Sequence, residues 1–282
     1  MPELKGRVAV VTGASRGVGR GVALGLGEAG ATVYVTGRTR PGQAAVEGLP
    51  GDVELTAEEV SRLGGRGVPV GCDHCDDQAV EALFSRVRSE QGRLDILVNS
   101  AWGGYENMVE PGGYTWERPF WEQPLWRWDG MFQAGLRAAY AASRLAARAM
   151  IAQRQGLIVN ISFWAARKYL ANAAYGVVKA ATDRLTADTA LELKDHNVAV
   201  VSIYPGLVRT ERVMRAVEFG APLDLSNSES PQFSGRAVAA LAADPGLMDK
   251  SGRVLVTAAL AQEFGFSDLD GRQPRPLEWE QV

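Results

Sequence analysis

The sequence predicts an α/β fold, a doubly wound parallel sheet of about seven strands in a single domain, and three observations carry that prediction. Short β-branched runs recur seven times along the 282 residues. They alternate with longer stretches of helical periodicity, the order expected of a parallel sheet with crossover helices. The runs are continuously apolar instead of alternating, as strands are when helices cover both faces of their sheet.

The runs place strands at Val8–Val11, Thr32–Thr36, Gly67–Val70, Leu94–Val98, Leu157–Ile161, Val198–Ile203 and Val254–Thr257. Helical periodicity falls at 18–29, 55–63, 77–90, 128–152, 173–194 and 234–242, and the two longest of these are rich in alanine. No linker interrupts the order, so residues 1–282 read as one domain. Two stretches do not fit the alternation. Residues 102–128 hold five of the seven tryptophans, Trp102, Trp116, Trp121, Trp126 and Trp128, with Pro111, Pro119 and Pro124, and are too long for a simple connection. Residues 206–233 mix a short helical piece with Pro222, Pro231 and a Ser/Asn cluster, and are expected to form a lid over substrate. Both follow C-terminal ends of strands, where ligands bind in open α/β sheets.

Composition excludes several function classes. Thirty Lys+Arg against 33 Asp+Glu, interspersed to a formal charge of −3, leave no basic stripe for nucleic acid. The longest apolar run, Val254–Ala261 broken by Thr257, is far short of the roughly 20 residues that span a bilayer, so no membrane span is expected. The chain runs from Met1 into its first strand without a signal-peptide core, which reads as cytoplasmic. Cys72 and Cys75 flank Asp73 and His74, but no further ligands recur in a metal-binding pattern, so no metal is expected.

The first strand runs into Thr12-Gly13-Ala14-Ser15-Arg16-Gly17-Val18-Gly19 and then a helix. Backbone N–H groups at a helix N-terminus suit phosphate. Gly13 permits the turn, Gly17 allows a pyrophosphate to approach, and Gly19 lets helix pack on sheet. At the end of the second strand the chain reads Gly37-Arg38, where enzymes that use NAD carry an acidic residue for the ribose hydroxyls. Arg38 offers a planar fork suited to a 2′-phosphate, and Arg16 lies on the same side, so the cofactor is expected to be NADP(H). Asp73 is either an acceptor for the adenine amino group or an ordinary turn aspartate. After the fifth strand come Ser162 and then Tyr175-Gly-Val-Val-Lys179, whose spacing of four puts phenol and ammonium on one helical face. A free tyrosine titrates near ~10, and a neighbouring cation has the right sign to stabilise its phenolate.

Taken together, Thr12-Gly13-x3-Gly17-x-Gly19, Asp73, Asn99-x-Ala101, Ser162, Tyr175-x3-Lys179 and Pro205-Gly206-x3-Thr210 resemble the short-chain dehydrogenase/reductase family from Arg7 to about Thr257. Thr36-Gly-Arg38, Phe120-Trp-Glu-x-Pro124 with Trp128, Gly135-Leu-Arg137, Tyr175-Gly-Val-x-Lys-Ala-Ala181 and Asp270-Gly-Arg272 are similar to one branch of it, dehydrogenase/reductase family member one. The resemblance implies that Tyr175 is the acid/base, that Ser162 holds the substrate carbonyl, and that Lys179 binds the nicotinamide ribose while lowering the Tyr175 pKa. It implies that Asn99 lines the cofactor cleft and that Pro205, Gly206, Val208 and Thr210 contact the carboxamide. It also implies a homodimer or homotetramer built on the two long helices and the reduction of carbonyls of steroid-like or xenobiotic compounds; the five tryptophans of 102–128 either point to an apolar or aromatic ketone or aldehyde or serve structural packing or a subunit contact.

Three positions depart from the family pattern. Asn99-Ser-Ala-Trp102 stands where the family has Asn-Asn-Ala-Gly, Gly135 stands at the helix asparagine of the catalytic tetrad, and Phe163 follows Ser162 where a second serine is usual. Gly135 asks for a reason, since glycine inside a helix costs about 1 kcal/mol relative to alanine. Either a neighbouring helix packs closely there, or the missing bulk admits a water between the Gly135 carbonyl and Lys179. If Gly135 abolishes turnover, the protein is instead a catalytically impaired NADP(H)-binding regulator, a reading that intact Ser162, Tyr175 and Lys179 argue against.

Overall fold

The computed structural model describes residues 2–42, 48–110, 113–221 and 223–277, so Pro111 and Pro222 lie outside the described residues. Seven parallel strands form one sheet: β1 (Val8–Val11), β2 (Thr32–Gly37), β3 (Arg66–Gly71), β4 (Ile96–Asn99), β7 (Gly156–Ile161), β8 (Val198–Tyr204) and β9 (Val254–Val256). Their order is β3-β2-β1-β4-β7-β8-β9. The strand order reverses between β1 and β4, and the crevice at such a switch point is where doubly wound sheets bind ligands.

The two-residue strand period divides the apolar runs between two cores. Ala9, Val11, Val33, Val35, Val98 and Val201 face α1 (Gly17–Glu28), α2 (Val53–Arg62), α8 (Pro231–Ala243) and α9 (Thr257–Phe264). Val8, Val10, Leu97, Ile158 and Val200 face α3 (Asp77–Gln91), α5 (Ala138–Gln153) and α6 (Ala173–Leu193). The central strands β1, β4 and β8 are buried along their whole length, which is why their runs carry no alternation, whereas the edge strand β3 leaves Arg66 exposed.

The structure moves several boundaries. The fourth strand begins at Ile96, not Leu94, because Asp95 is used as a tether: its carboxylate accepts the Val8 N–H at 2.8 Å and pairs with Arg7 at 2.9 Å. The last strand stops at Val256 because the Thr257 hydroxyl donates to the Tyr204 carbonyl at 3.3 Å and opens α9, a helix the sequence reading did not place. The helix expected over 128–152 is three pieces: α4 (Leu125–Gly130), a π-helical segment Met131–Arg137, and α5. π-Helical turns of this kind recur at functional sites.

The aromatic segment is ordered by one buried cation. Arg127, only 1% exposed, donates to the Thr115 carbonyl at 3.2 Å and to the Thr115 hydroxyl at 2.9 Å. A hairpin of β5 (Val109–Glu110) and β6 (Gly113–Tyr114) precedes it. Residues 206–233 contain α7 (Glu211–Glu218), capped by the Thr210 hydroxyl on the Val213 N–H at 3.2 Å. Among the described residues no helix is long and apolar enough to cross a membrane.

Candidate active site

One cleft of about 720 Å³ runs across the carboxyl ends of the strands, from the glycine turn to Tyr175. At its first end the turn is shaped by close approach. A Cβ on Gly13 would lie 2.7 Å from the Ala101 backbone, and Gly17 holds a φ of +60°. Thr12 fastens this turn to the next, its hydroxyl accepting the N–H groups of Ser100 and Ala101 at 3.0 Å each. Gly13, Ser15, Arg16, Gly17, Val18 and Gly19 line the cleft, whereas Thr12 lies behind it as a tether. The N–H of Gly17 donates to the Glu211 carboxylate at 2.8 Å. The Gly17 N–H thus points an available donor out of the turn toward an oxygen acceptor, and the backbone present fits a phosphate there once Glu211 gives up that bond.

The two arginines differ. Arg16 clasps the chain that follows β2, donating to the carbonyls of Pro50 at 3.1 Å and Gly51 at 2.7 Å and to the Thr39 hydroxyl at 3.3 Å. Arg38 is exposed beside buried Gly37 at the cleft rim. Asp73 accepts the Cys75 N–H at 3.0 Å, which is the turn role, while also lining the cleft. His74 is committed to Thr36 at 2.8 Å, and burial lowers its pKa to about 4. Among the described residues no cluster of His, Cys, Asp and Glu is arranged to hold a metal.

Asn99 does not line the cleft. Its amide donates to Ser143 at 2.9 Å and to Asn160 at 2.8 Å, so it braces β4 against β7 and α5 from below. Pro205, Gly206, Val208 and Thr210 do line the cleft, and behind them Glu229 is buried against Gly206.

At the second end, Asn172 caps α6 by accepting the Tyr175 N–H at 3.1 Å, and its amide donates to the Trp116 carbonyl at 3.1 Å. One residue thus sets both the start of the helix and the place of an indole against it. Lys179, one turn on, donates to the Ile161 carbonyl at 2.9 Å and lies 4.0 Å from the centroid of Trp102. Burial lowers its pKa to about 7, against a smaller opposing pull from Asp183. Burial also raises the Tyr175 phenol well above its ordinary value, so it holds its proton at neutral pH.

Aromatic rings wall Tyr175 on several sides: Trp102 at 5.6 Å, Trp116 at 5.3 Å, Phe163 at 6.1 Å and Tyr105 at 6.1 Å between centroids. The segment 102–128 therefore splits in function. Trp102 and Trp116 turn inward, whereas Trp121, 73% exposed, turns out to solvent.

The three departures from the family pattern meet here. A Cβ on Gly135 would lie 2.7 Å from the Trp102 ring, so the close neighbour of this glycine is that indole and not a second helix. The same indole lies over the Lys179 ammonium, which stands 4.0 Å from its ring centroid. Ser162 follows Ile161 out of β7, and its hydroxyl, 2% exposed, donates to the Lys179 carbonyl at 3.3 Å. The ring presented to Tyr175 from this strand end is that of Phe163.

Sequence reading missed Tyr105 and Glu211. Neither belongs to a motif; a tyrosine within the tryptophan-rich stretch and an acid after Thr210 were the available signals.

The short chain dehydrogenase family matches residues 7–219. The chain is 45% identical over 283 residues to Dehydrogenase/reductase SDR family member 1 of Mus musculus, covering 95% of this chain and 85% of that protein. It is similar to a solved 7α-hydroxysteroid dehydrogenase complexed with NADH and 7-oxo glycochenodeoxycholic acid, with a TM-score of 0.72 at 25% identity over 96% of each chain. A metagenomic short-chain oxidoreductase in complex with NADP gives a TM-score of 0.67 at 32% identity, covering 90% of this chain and 97% of that one. The two structures carry different nucleotides, so nucleotide choice has to be read from this chain's own residues.

Proposed function

The chain belongs to the short-chain dehydrogenase/reductase family, an oxidoreductase family, and from that premise we propose that it is an NADP(H)-dependent reductase of apolar or aromatic ketones and aldehydes. One observation carries the reading: a single cleft joins a turn that accepts an anionic oxygen, with Arg38 at its rim, to Tyr175 and Lys179. Gly13, Ser15, Arg16, Gly17, Val18 and Gly19 would hold the nucleotide phosphates, Arg38 the 2′-phosphate, Asp73 the adenine edge, and Pro205, Gly206, Val208 and Thr210 the nicotinamide amide. Thr12 and Asn99 would brace that site from behind. The nicotinamide, when bound, supplies or accepts a hydride.

The chain's own residues do the rest. Tyr175 keeps its proton because burial disfavours the phenolate, so it is loaded to protonate a developing alkoxide. Lys179 donates to the ribose and stabilises the phenolate left behind. Ser162 fixes the Lys179 backbone through its 3.3 Å bond, a role beside or in place of holding the substrate carbonyl. Trp102, Trp116 and Phe163 exclude water and present flat apolar surface to the substrate, with α7 as part of the lid. Tyr140 on α5 and Leu191 on α6, 55% and 73% exposed, suit self-association into a homodimer or homotetramer.

A second reading, an NADP(H)-binding regulator that has lost catalysis, draws support from Phe163 and Gly135 at positions where the family has polar side chains. A spectrophotometric screen of NADPH oxidation against diketones, quinones and ketosteroids separates the two. Turnover of any of these carbonyls supports the reductase; NADPH binding without turnover supports the regulator.

A further inference from the structure

Resting on the reading in which Pro205, Gly206, Val208 and Thr210 hold the nicotinamide amide, we propose that Asp268 is a positioning residue for that wall, acting through Arg209 and Ser230. The C-terminal turn Asp268–Arg272 lies behind the cleft and lines none of it, so any effect on the nucleotide has to pass through the wall.

The wall cannot shape itself. It leaves β8 at Tyr204 and has no helix until Glu211 opens α7. Its one strand-like contact is a bridge between Val208 and Glu229, in which the Arg209 N–H donates to the Glu229 carbonyl and the Glu229 N–H to the Leu207 carbonyl, each at 2.8 Å. Residues 228–230 are therefore its mould. Asp268, only 2% exposed, fixes that mould: its carboxylate accepts the Ser230 N–H at 2.8 Å and the Ser230 hydroxyl. It also accepts the Arg209 guanidinium at 3.2 Å. Arg209 closes the circuit by donating to the Ser228 carbonyl at 2.7 Å and the Ser228 hydroxyl at 2.8 Å. Charge-assisted bonds of this kind, out of water, hold a geometry more tightly than neutral ones.

The Asp270-Gly-Arg272 stretch accounts for how Asp268 keeps its place. Gly271 has a φ of +81°, which lets its N–H reach back to the Asp268 carbonyl at 3.0 Å while the Asp268 N–H reaches the Arg272 carbonyl at 2.7 Å. Asp270 accepts the Arg272 side chain at 2.8 Å, and the Arg272 guanidinium donates to the Ser226 carbonyl at 3.3 Å. Further along, Asn227 donates to the Arg275 carbonyl at 3.0 Å and accepts its N–H at 2.8 Å. The strap grips 226–230 along its length. α7 lies between this segment and the wall, so it can swing over substrate without dragging the wall with it.

The test measures binding by calorimetry with two probes, NADP⁺ and 2′-phospho-ADP-ribose, the same nucleotide without its nicotinamide. Asp268→Asn keeps the shape of the side chain and removes the charge that Arg209 meets. It should weaken NADP⁺ about tenfold, the size of one charge-assisted bond, and leave 2′-phospho-ADP-ribose within about twofold. A general loosening of the fold would weaken both probes alike, and a side chain without consequence for the site would weaken neither; either result overturns the proposal. If Asp268→Asn does not fold, Arg209→Met breaks the same contact from its more exposed partner and should show the same split between probes. Where both single variants fold, the double variant should lose no more NADP⁺ affinity than the weaker of the two, because one contact is removed in each; an additive loss of about a hundredfold overturns the proposal. A wild type that binds neither probe removes the nucleotide reading and this proposal with it, whereas an equal response of the two probes removes this proposal alone.

Discussion

The two ends of the cleft are built from different materials. The end at Gly13–Gly19 presents backbone: a turn held open by glycines, a Gly17 N–H carrying a carboxylate, and one exposed arginine. The end at Tyr175 presents side chains brought together from β4, the aromatic segment, β7 and α6. Backbone sites are specified by local spacing, so they can be copied between proteins with little change. Side-chain sites are specified by whatever meets in space, and here Gly135 meets Trp102 while Phe163 faces Tyr175.

The largest test of that division is Tyr175→Phe. Removing one hydroxyl should lower turnover by about 10²–10⁴-fold, the range for general acid catalysis. Because the glycine turn is remote from the phenol, NADPH affinity by fluorescence titration should be unchanged. A parallel loss of affinity would show that the two ends are not separable.

Lys179 tests the same division through pH. Its folded pKa is about 7, lowered from 10.5. Below pH 7 the lysine is charged in folded and unfolded chains alike, and burial then costs stability in full. Between pH 7 and about 10 the unfolded chain holds a proton the folded one has released, so stability rises with pH. Urea unfolding at pH 6.5, 8 and 9.5 should therefore show the wild type gaining on Lys179→Met, by on the order of 1–3 kcal/mol. A flat difference would mean that the Trp102 ring and the Ile161 carbonyl already compensate the buried charge.

Legibility in the sequence follows the same line. The strand order and the glycine turn were readable because continuous apolar runs and the Thr12–Gly19 spacing are local signals. The short chain between Ser162 and Tyr175 was readable too, but a count of residues does not say which face of a strand end a hydroxyl takes. Ser162 does line the cleft with Tyr175, and the bond of its hydroxyl to the Lys179 carbonyl at 3.3 Å is what such a count leaves out. Asn99 was read as lining the cleft for the same reason, and it braces the sheet instead. Tyr105 belongs to no motif, and only its place in the tryptophan-rich stretch signals it, since the Tyr175 ring it meets lies 70 residues away in the sequence.

At the backbone end, Arg38→Asp should reverse nucleotide preference. Losing one charge-assisted contact to a 2′-phosphate costs about 1.5–3 kcal/mol, roughly ten- to a hundredfold in affinity for NADPH over NADH. Arg16→Ala should cost less in selectivity and more in stability, because that guanidinium is tied to the Pro50 and Gly51 carbonyls. Equal binding of both nucleotides by the unaltered protein would remove Arg38 as the selector.

The smallest expected effect is at Gly135, where two forces of similar size oppose each other. Alanine is the better helix former by about 1 kcal/mol, so Gly135→Ala gains on propensity alone. The added methyl, however, would lie 2.7 Å from Cζ3 and 2.8 Å from Cε3 of Trp102. Overpacking of this kind costs about 1–3 kcal/mol, and the indole cannot retreat without leaving Lys179, which it covers at 4.0 Å. In the wild-type background the clash should win, destabilising the protein by about 1 kcal/mol in urea unfolding. With Trp102→Ala already present the clash is gone, and the same Gly135→Ala should stabilise by about 1 kcal/mol. A reversal of sign between the two backgrounds identifies the indole as the reason for the glycine. Destabilisation in both would place the reason in the π-helical backbone of Met131–Arg137, and the two positions would then have changed independently.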